Sequence, residues 1–182
     1  DVLTGFKFIG EKIKDFEEHD YYNEFIFGFE ESYGYLAGTY ARDKDAVVAA
    51  MLIAEMAADY KEQGLTLYEG LLSLYKKYGC YLEGTKSIVL EGIDGADKIN
   101  AIMEKFRSEP MTEYAGSKVL RAWDVSAGTI KDIDSGKVTE LDLPKSNVLR
   151  FDLENNGWFA IRPSGTEPKI KFYFGVCEDG VD

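Results

Sequence analysis

The sequence predicts two architectures in series. Residues 1–79 read as the helix-rich, C-terminal part of an α/β domain, and residues 80–182 as a small α+β domain with a mainly antiparallel sheet. Three observations carry this. Apolar residues recur at helical spacing as far as Tyr78, then mostly at the alternating spacing of strands. Gly79 stands where the last of the early helices must stop. Asn156-Gly157, between Leu149–Leu153 and Trp158–Ile161, is a hairpin signal that turns the chain back on itself.

Thr4 is placed to cap a short helix in which Phe6, Ile9, Ile13 and Phe16 share one face. Phe25-Ile26-Phe27 reads as a short buried strand, feeding a glycine-interrupted loop over 28–42. Asp43 is the expected N-cap of a helix over about 44–63, with Val47, Val48, Met51, Leu52 and Met56 as its apolar face. Thr66 and Glu69 have capping-box spacing and open a second helix carrying Leu67, Leu71, Leu74, Tyr75 and Tyr78. Beyond Gly79 the segment 81–90 reads as a strand. Asp94 then caps a helix with Ile99, Ile102, Met103 and Phe106, ended by Pro110. Segments 118–123, 137–141, 148–153, 158–161 and 169–176 complete the strands. There is no internal repeat.

The chain is 45% hydrophobic and 30% charged, ordinary for a globular protein, and its net charge of −12 argues against nucleic acid as a partner. No apolar run approaches the roughly 20 residues of a membrane span, so no membrane partner is expected. Cys80 and Cys177 form no ligand pattern and read as thiols of a reducing compartment, the cytoplasm. His19, within Glu17-Glu18-His19-Asp20, reads as solvated surface. The opening at Asp1, already inside structured sequence, suggests a fragment of something longer.

The densest chemistry lies in Arg162-Pro163-Ser164-Gly165-Thr166-Glu167-Pro168-Lys169-Ile170-Lys171. A dianionic phosphate needs a guanidinium fork, short hydroxyl donors and backbone N–H groups that can approach it closely. Arg162, Ser164, Thr166 and Gly165 supply these, and the prolines shape the loop in advance. Alternation through 169–176 puts Lys169, Lys171 and Tyr173 on one face and Ile170, Phe172, Phe174 and Val176 on the other. A tight connection between two strands would also use Pro-Ser-Gly; the flanking lysines favour a phosphate cradle.

Glu30-Glu31-Ser32 sits in the loop after the first strand. A carboxylate beside a hydroxyl suits the hydroxyl groups of a sugar, and Tyr33 and Tyr35 could offer ring faces. Adjacent glutamates also occur on solvated loops, and too few oxygen ligands lie nearby for a divalent metal.

Four segments in order, Leu3-Thr4-Gly5-Phe6-Lys7, Gly28 to Gly34, Arg42-Asp43-Lys44-Asp45 and Arg162 to Tyr173, resemble the α-D-phosphohexomutase family of phosphoglucomutases and phosphomannomutases. That resemblance implies a C-terminal fragment: the end of a third α/β domain followed by a TBP-like fourth domain. It implies a parent isomerase of carbohydrate metabolism that interconverts hexose 1-phosphate and 6-phosphate. The route runs through a phosphoserine and a hexose 1,6-bisphosphate, with Mg2+, and the Glu30-Glu31-Ser32 form of the loop favours glucose over mannose. By matched position, Thr4, Gly5, Phe6, Glu30 and Ser32 would hold the sugar. Arg162, Ser164, Gly165, Thr166 and Lys171 would hold the phosphate that is not transferred. Lys44 would handle the proton of the reacting hydroxyl, although a lysine between Asp43 and Asp45 also simply balances charge.

The family's phosphoserine and magnesium segments have no counterpart here, and neither does its last helix. Asp94-Gly95-Ala96-Asp97 and Asp132-Ile133-Asp134-Ser135-Gly136 lack the acids and arginine of the metal loop, so no metal ligand is expected in this chain. The expectation is therefore a parent mutase whose missing N-terminal domains are partners of this segment, the fragment alone being inactive. The alternatives are a non-catalytic sugar-phosphate-binding module, and a structural domain whose Arg162–Pro168 loop is only a turn.

Overall fold

The computed structural model describes residues 2–19, 24–30, 32–92, 94–109, 111–165 and 167–178. Its chain divides into two compact units, Asp1–Ser73 and Leu74–Asp182. The division falls within a helix, where the sequence reading set it just after that helix.

In the first unit, helix α1 spans Phe6–Glu18 and buries Phe6, Gly10 and Ile13. Its N-cap is Gly5, at φ 126, with no side-chain cap bond, so Thr4 does not cap it as expected. A Cβ at Gly10 would meet the Arg42 carbonyl oxygen at 2.9 Å, so glycine permits a close crossing of chain over helix. Strands β1, Phe27–Phe29, and β2, Tyr35–Ala37, pair antiparallel, and Leu36 joins Phe6 and Ile13 in a small core. The expected strand at 25–27 thus starts two residues later. It is not buried either: Phe27 and Phe29 are exposed, because one short partner strand cannot cover both faces of a hairpin.

Helix α2 spans Ala46–Glu62 and is capped by Asp45, whose Oδ1 accepts the N–H groups of Val47 and Val48 at 2.8 and 3.1 Å. This corrects the assignment to Asp43, which instead binds Lys44. No residue of α2 is buried, and Val47, Met51, Leu52 and Met56 are exposed. Helix α3 spans Leu67–Tyr78 and opens on the expected capping box: Glu69 accepts the Thr66 N–H at 2.7 Å, and Thr66 Oγ1 accepts the Glu69 N–H at 3.2 Å. Gly79 ends it at φ 94, in the left-handed region that glycine reaches without strain.

The second unit is an antiparallel sheet with one helix. Its strands are β3 Cys80–Val89, β4 Glu113–Tyr114, β5 Ser117–Asp124, β6 Thr129–Asp132, β7 Val138–Glu140, β8 Leu149–Leu153, β9 Trp158–Pro163 and β10 Lys169–Glu178. Their spatial order is β3-β10-β9-β8-β5-β6-β7, with β4 paired to β5. Helix α4, Gly95–Ser108, lays Ile99 and Met103 on a core of Val119, Leu149, Phe151, Leu153, Phe159, Ile161 and Ile170. Asp94 precedes α4 without capping it and pairs with Lys98 at 2.7 Å. Pro110 lies outside the described residues.

A bulge between Val119 and Arg121 lets Val119 and Ala122 face the core together and sends Arg121 and Trp123 to the other side. The β8–β9 hairpin turns one residue earlier than expected. Asn155 and Asn156 carry the positive φ values, 57 and 58, while Gly157 is extended. Both central residues at positive φ make the mirror-image turn whose twist suits a hairpin. Strand alternation then leaves the face opposite α4 polar and aromatic, with Arg121, Trp123, Arg150, Asp152, Trp158, Arg162, Lys171 and Tyr173.

Candidate functional site

The Arg162–Lys171 segment is the loop between β9 and β10, closed by the Ser164 N–H donating to the Lys169 carbonyl at 2.7 Å. Arg162 and Lys171 are direct partners in the ladder, so their side chains stand together on the polar face. Tyr173 is on that face too, and Arg162 Nη2 donates to its Oη at 3.4 Å. Arg162 Nε is buried with no hydrogen-bond partner among the described residues. A buried unpaired N–H is costly; any oxyanion at the guanidinium must be met by the terminal nitrogens, since no oxygen can reach the enclosed Nε.

Lys169, although on the same face, is engaged elsewhere: its ammonium pairs with Glu167 at 2.5 Å. That bond holds the Glu167 carboxyl below its ordinary range. The charge of Lys171 also contributes to lowering Glu167, after that of Lys169. Gly165 is informative by what it does not do. It is not at positive φ, and a Cβ there would meet no atom of the described residues within 4 Å, so their packing does not demand glycine. Thr166, the remaining candidate of this loop, lies outside the described residues.

The same loop borders a cavity of about 670 Å³ whose far wall is Asn100 on α4 with Ser146 and Asn147 before β8. Sequence reading missed these neutral groups, since no local pattern ties residues so far apart. Arg107 is the one visible link: it pairs with Asp124 at 3.0 Å and donates to Asn147 Oδ1.

In the first unit, three separated segments converge. Lys44 Nζ lies 3.7 Å from Glu30 Oε2 and 5.5 Å from the centre of the Phe6 ring. Ser32 Oγ donates to the same Glu30 oxygen at 3.4 Å. Phe6 itself is 3% exposed, so in the Thr4-Gly5-Phe6 turn it is Thr4 that reaches the surface, while the Phe6 ring lies beneath the Lys44 ammonium. The Asp43 carboxylate, bonded to Lys44 Nζ at 3.0 Å, pushes the ammonium above the ordinary lysine range, with Glu30 adding to it. In turn the Lys44 N–H, then its ammonium, hold Asp43 below the usual carboxylate range. At neutral pH this lysine is a cation and a proton donor.

Among the described residues no three His, Cys, Asp or Glu side chains converge on a possible metal position, and no helix is long and apolar enough to cross a membrane. Cys80 and Cys177 are free thiols.

Comparison with known proteins adds to this geometry. The profile described as phosphoglucomutase/phosphomannomutase, alpha/beta/alpha domain III, matches residues 1–78, and that of the C-terminal domain of the same proteins matches residues 111–181. A phosphoglucomutase of Staphylococcus aureus is 44% identical over 176 residues, covering 97% of this chain and 31% of the relative. One from Staphylococcus epidermidis is 41% identical over 182 residues, covering 100% and 33%. The chain therefore spans about a third of the length of the curated relatives it matches. In fold it is similar to the open form of pp63/parafusin (phosphoglucomutase) from Paramecium. The TM-score is 0.61 at 19% identity, over 97% of this chain and 29% of that one.

Proposed function

Because the chain belongs to the phosphoglucomutase/phosphomannomutase family, we propose that it is the substrate-binding C-terminal portion of an enzyme interconverting hexose 1-phosphate and 6-phosphate. Glucose is the preferred hexose, in keeping with the relatives' names. The observation that carries this is the pairing of Arg162 with Lys171 on one face of the β9–β10 ladder, with Arg162, Ser164 and Gly165 lining one cavity. A phosphate there receives a guanidinium fork and a second cation, with Ser164, Gly165 and Thr166 around it.

Glu30 and Ser32 address the sugar hydroxyls, accepting and donating respectively. Lys44, kept protonated by Asp43 and Glu30, acts as the charged donor near the reacting oxygen. Phosphoryl transfer depends mainly on positioning and charge stabilisation, and these residues supply both for the substrate. The phosphoserine and the magnesium ligands belong to parts of the parent outside this sequence. The bisphosphate is the parent's intermediate. The chain alone binds and does not turn over, and the parent works in the cytosol.

The test is a titration of this chain with inorganic phosphate and with glucose 6-phosphate, following the amide signals of Ser164 and Gly165. Saturable shifts are expected, and Arg162→Ala should weaken binding by roughly 1.5–3 kcal/mol, the worth of a charge-assisted contact. Unmoved amides, or an unchanged affinity in the variant, would reject the cradle. A non-catalytic sugar-phosphate module shares the same loop. It is selected instead if the full-length parent binds glucose phosphate but fails to isomerise it with magnesium and bisphosphate present.

A further inference from the structure

We propose that Arg150 and Arg121, built around Asp152 and two tryptophans, form a second oxyanion site on the polar face of the sheet, one that takes a ligand of the phosphate class and shares no residue with the β9–β10 loop. The inference does not rest on the loop reading. Asp152 is 7% exposed, the one charged residue buried among the described residues. Its carboxylate accepts the Trp123 indole N–H at 2.8 Å and Arg150 Nε at 2.9 Å, and pairs with Arg121 Nη2 at 2.9 Å. One carboxylate between two guanidiniums leaves a unit of positive charge on a chain whose net charge is −12.

The geometry selects which part of Arg150 remains available. Arg150 lies on β8, between β5 and β9, and each neighbouring strand contributes a tryptophan. The guanidinium carbon is 5.3 Å from the ring centres of both Trp123 and Trp158. Arg121 approaches the Trp123 ring as well, at 6.0 Å. Aromatic neighbours occupy the guanidinium faces by cation–π attraction, and Asp152 occupies the Nε edge. The two terminal nitrogens form no hydrogen bond among the described residues, while 37% of the side chain is exposed. A planar fork fixed on three sides, with its outer edge in solvent, is pre-organised for the paired oxygens of an oxyanion.

The platform has its own sequence cost. Trp158 lies over Gly175 on β10, where any Cβ would overlap the indole. Gly175 is not at positive φ, so the indole, not the backbone, requires the glycine. Ala160, directly opposite Arg150 in the ladder, is likewise small and leaves the approach clear. Neither signal is visible without the strand register.

The experiment titrates this chain with inorganic phosphate at constant ionic strength, with chloride as the control, and follows the indole N–H signals of Trp123 and Trp158. Both should shift saturably with phosphate and not with chloride. The response should persist in Arg162→Ala, which leaves the knot intact. It should weaken about tenfold in Arg150→Lys, which keeps the charge but loses the fork. Indoles that stay still while Ser164 and Gly165 respond would overturn this proposal and leave the loop reading standing. Indole shifts that vanish in Arg162→Ala would overturn it too, since they would then report the loop. Indole shifts that survive while the loop amides are silent would uphold this site and reject the other.

Discussion

Gly34 and Lys44 compete for the same space: a Cβ on Gly34 would overlap Lys44 Cδ and crowd Glu30 Oε2 at 3.2 Å. Gly34 is not at positive φ, so its identity answers to the lysine and not to the backbone. Gly34→Ala should therefore move the lysine stem while costing little stability, within about 0.5 kcal/mol, because a flexible exposed side chain can step aside. The expected readout is a fall of the Lys44 titration toward the ordinary lysine value, measured by side-chain NMR, with the melting curve unchanged. An unmoved titration would mean that the ammonium keeps its Asp43 and Glu30 partners whatever path its stem takes. The family likeness implied a role for Lys44 and another for Glu30, but not their contact. Thirteen residues lie between them, and composition says nothing about which carboxylate a lysine will meet. Lys44 with Asp43 was legible outright, being adjacent.

Helix starts divide into those that local chemistry decides and those that it leaves open. Thr66 and Glu69 bond reciprocally, as their spacing requires. At α2 two aspartates stood within reach of the first turn, and only the backbone path decides between them: Asp45 is extended, at φ −126, and reaches Val47 and Val48. Tyr40 donates to the same carboxylate at 2.6 Å, and this bond, with the two backbone N–H groups, holds Asp45 below its ordinary range. Glu69 is lowered likewise, first by the Thr66 N–H. The sign follows. A carboxyl whose folded value is depressed contributes stability that is fully present above its unfolded value, about 4, and lost as pH falls through the folded one. Acidification below pH ~4 should thus loosen the first turns of α2 and α3. Asp45→Asn, which can still cap, should flatten the α2 part of that loss in amide-exchange measurements; an unaltered acid profile at Val47 and Val48 would refute the cap's role. The short strands β2, read as part of the loop over 28–42, and β4 and β6 went unread because two to four residues carry too little alternation to stand out.

At the scale of the molecule, the strand pattern foretold burial well in one unit and poorly in the other, for a physical reason. Alternation in β8, β9 and β10 places Phe151, Phe159, Ile161 and Ile170 on one face, and α4 supplies Ile99 and Met103 to cover it. Nine buried residues make that core, with Phe151 and Phe159 stacked at 4.5 Å. Among the described residues the first unit's core cluster has three buried side chains, Phe6, Ile13 and Leu36, while α2 buries none of its apolar side chains. Hydrophobicity records that a face seeks cover and is silent on what covers it. The two cores should therefore differ in stability. Phe159→Ala removes a ring that is 1% exposed and stacked on both Phe151 and Tyr114, and should cost the sheet unit about 3–5 kcal/mol. Hydrogen exchange on the unaltered chain should show the slowest amides in β8, β9 and β10, and far faster exchange in α1 and β2. Denaturation followed by the tryptophans, both of which lie in the sheet, should report the Phe159→Ala loss directly. Equal protection in the two units would mean that three buried side chains suffice where nine were taken to be needed, and that the exposed face of α2 is stabilised by something other than burial.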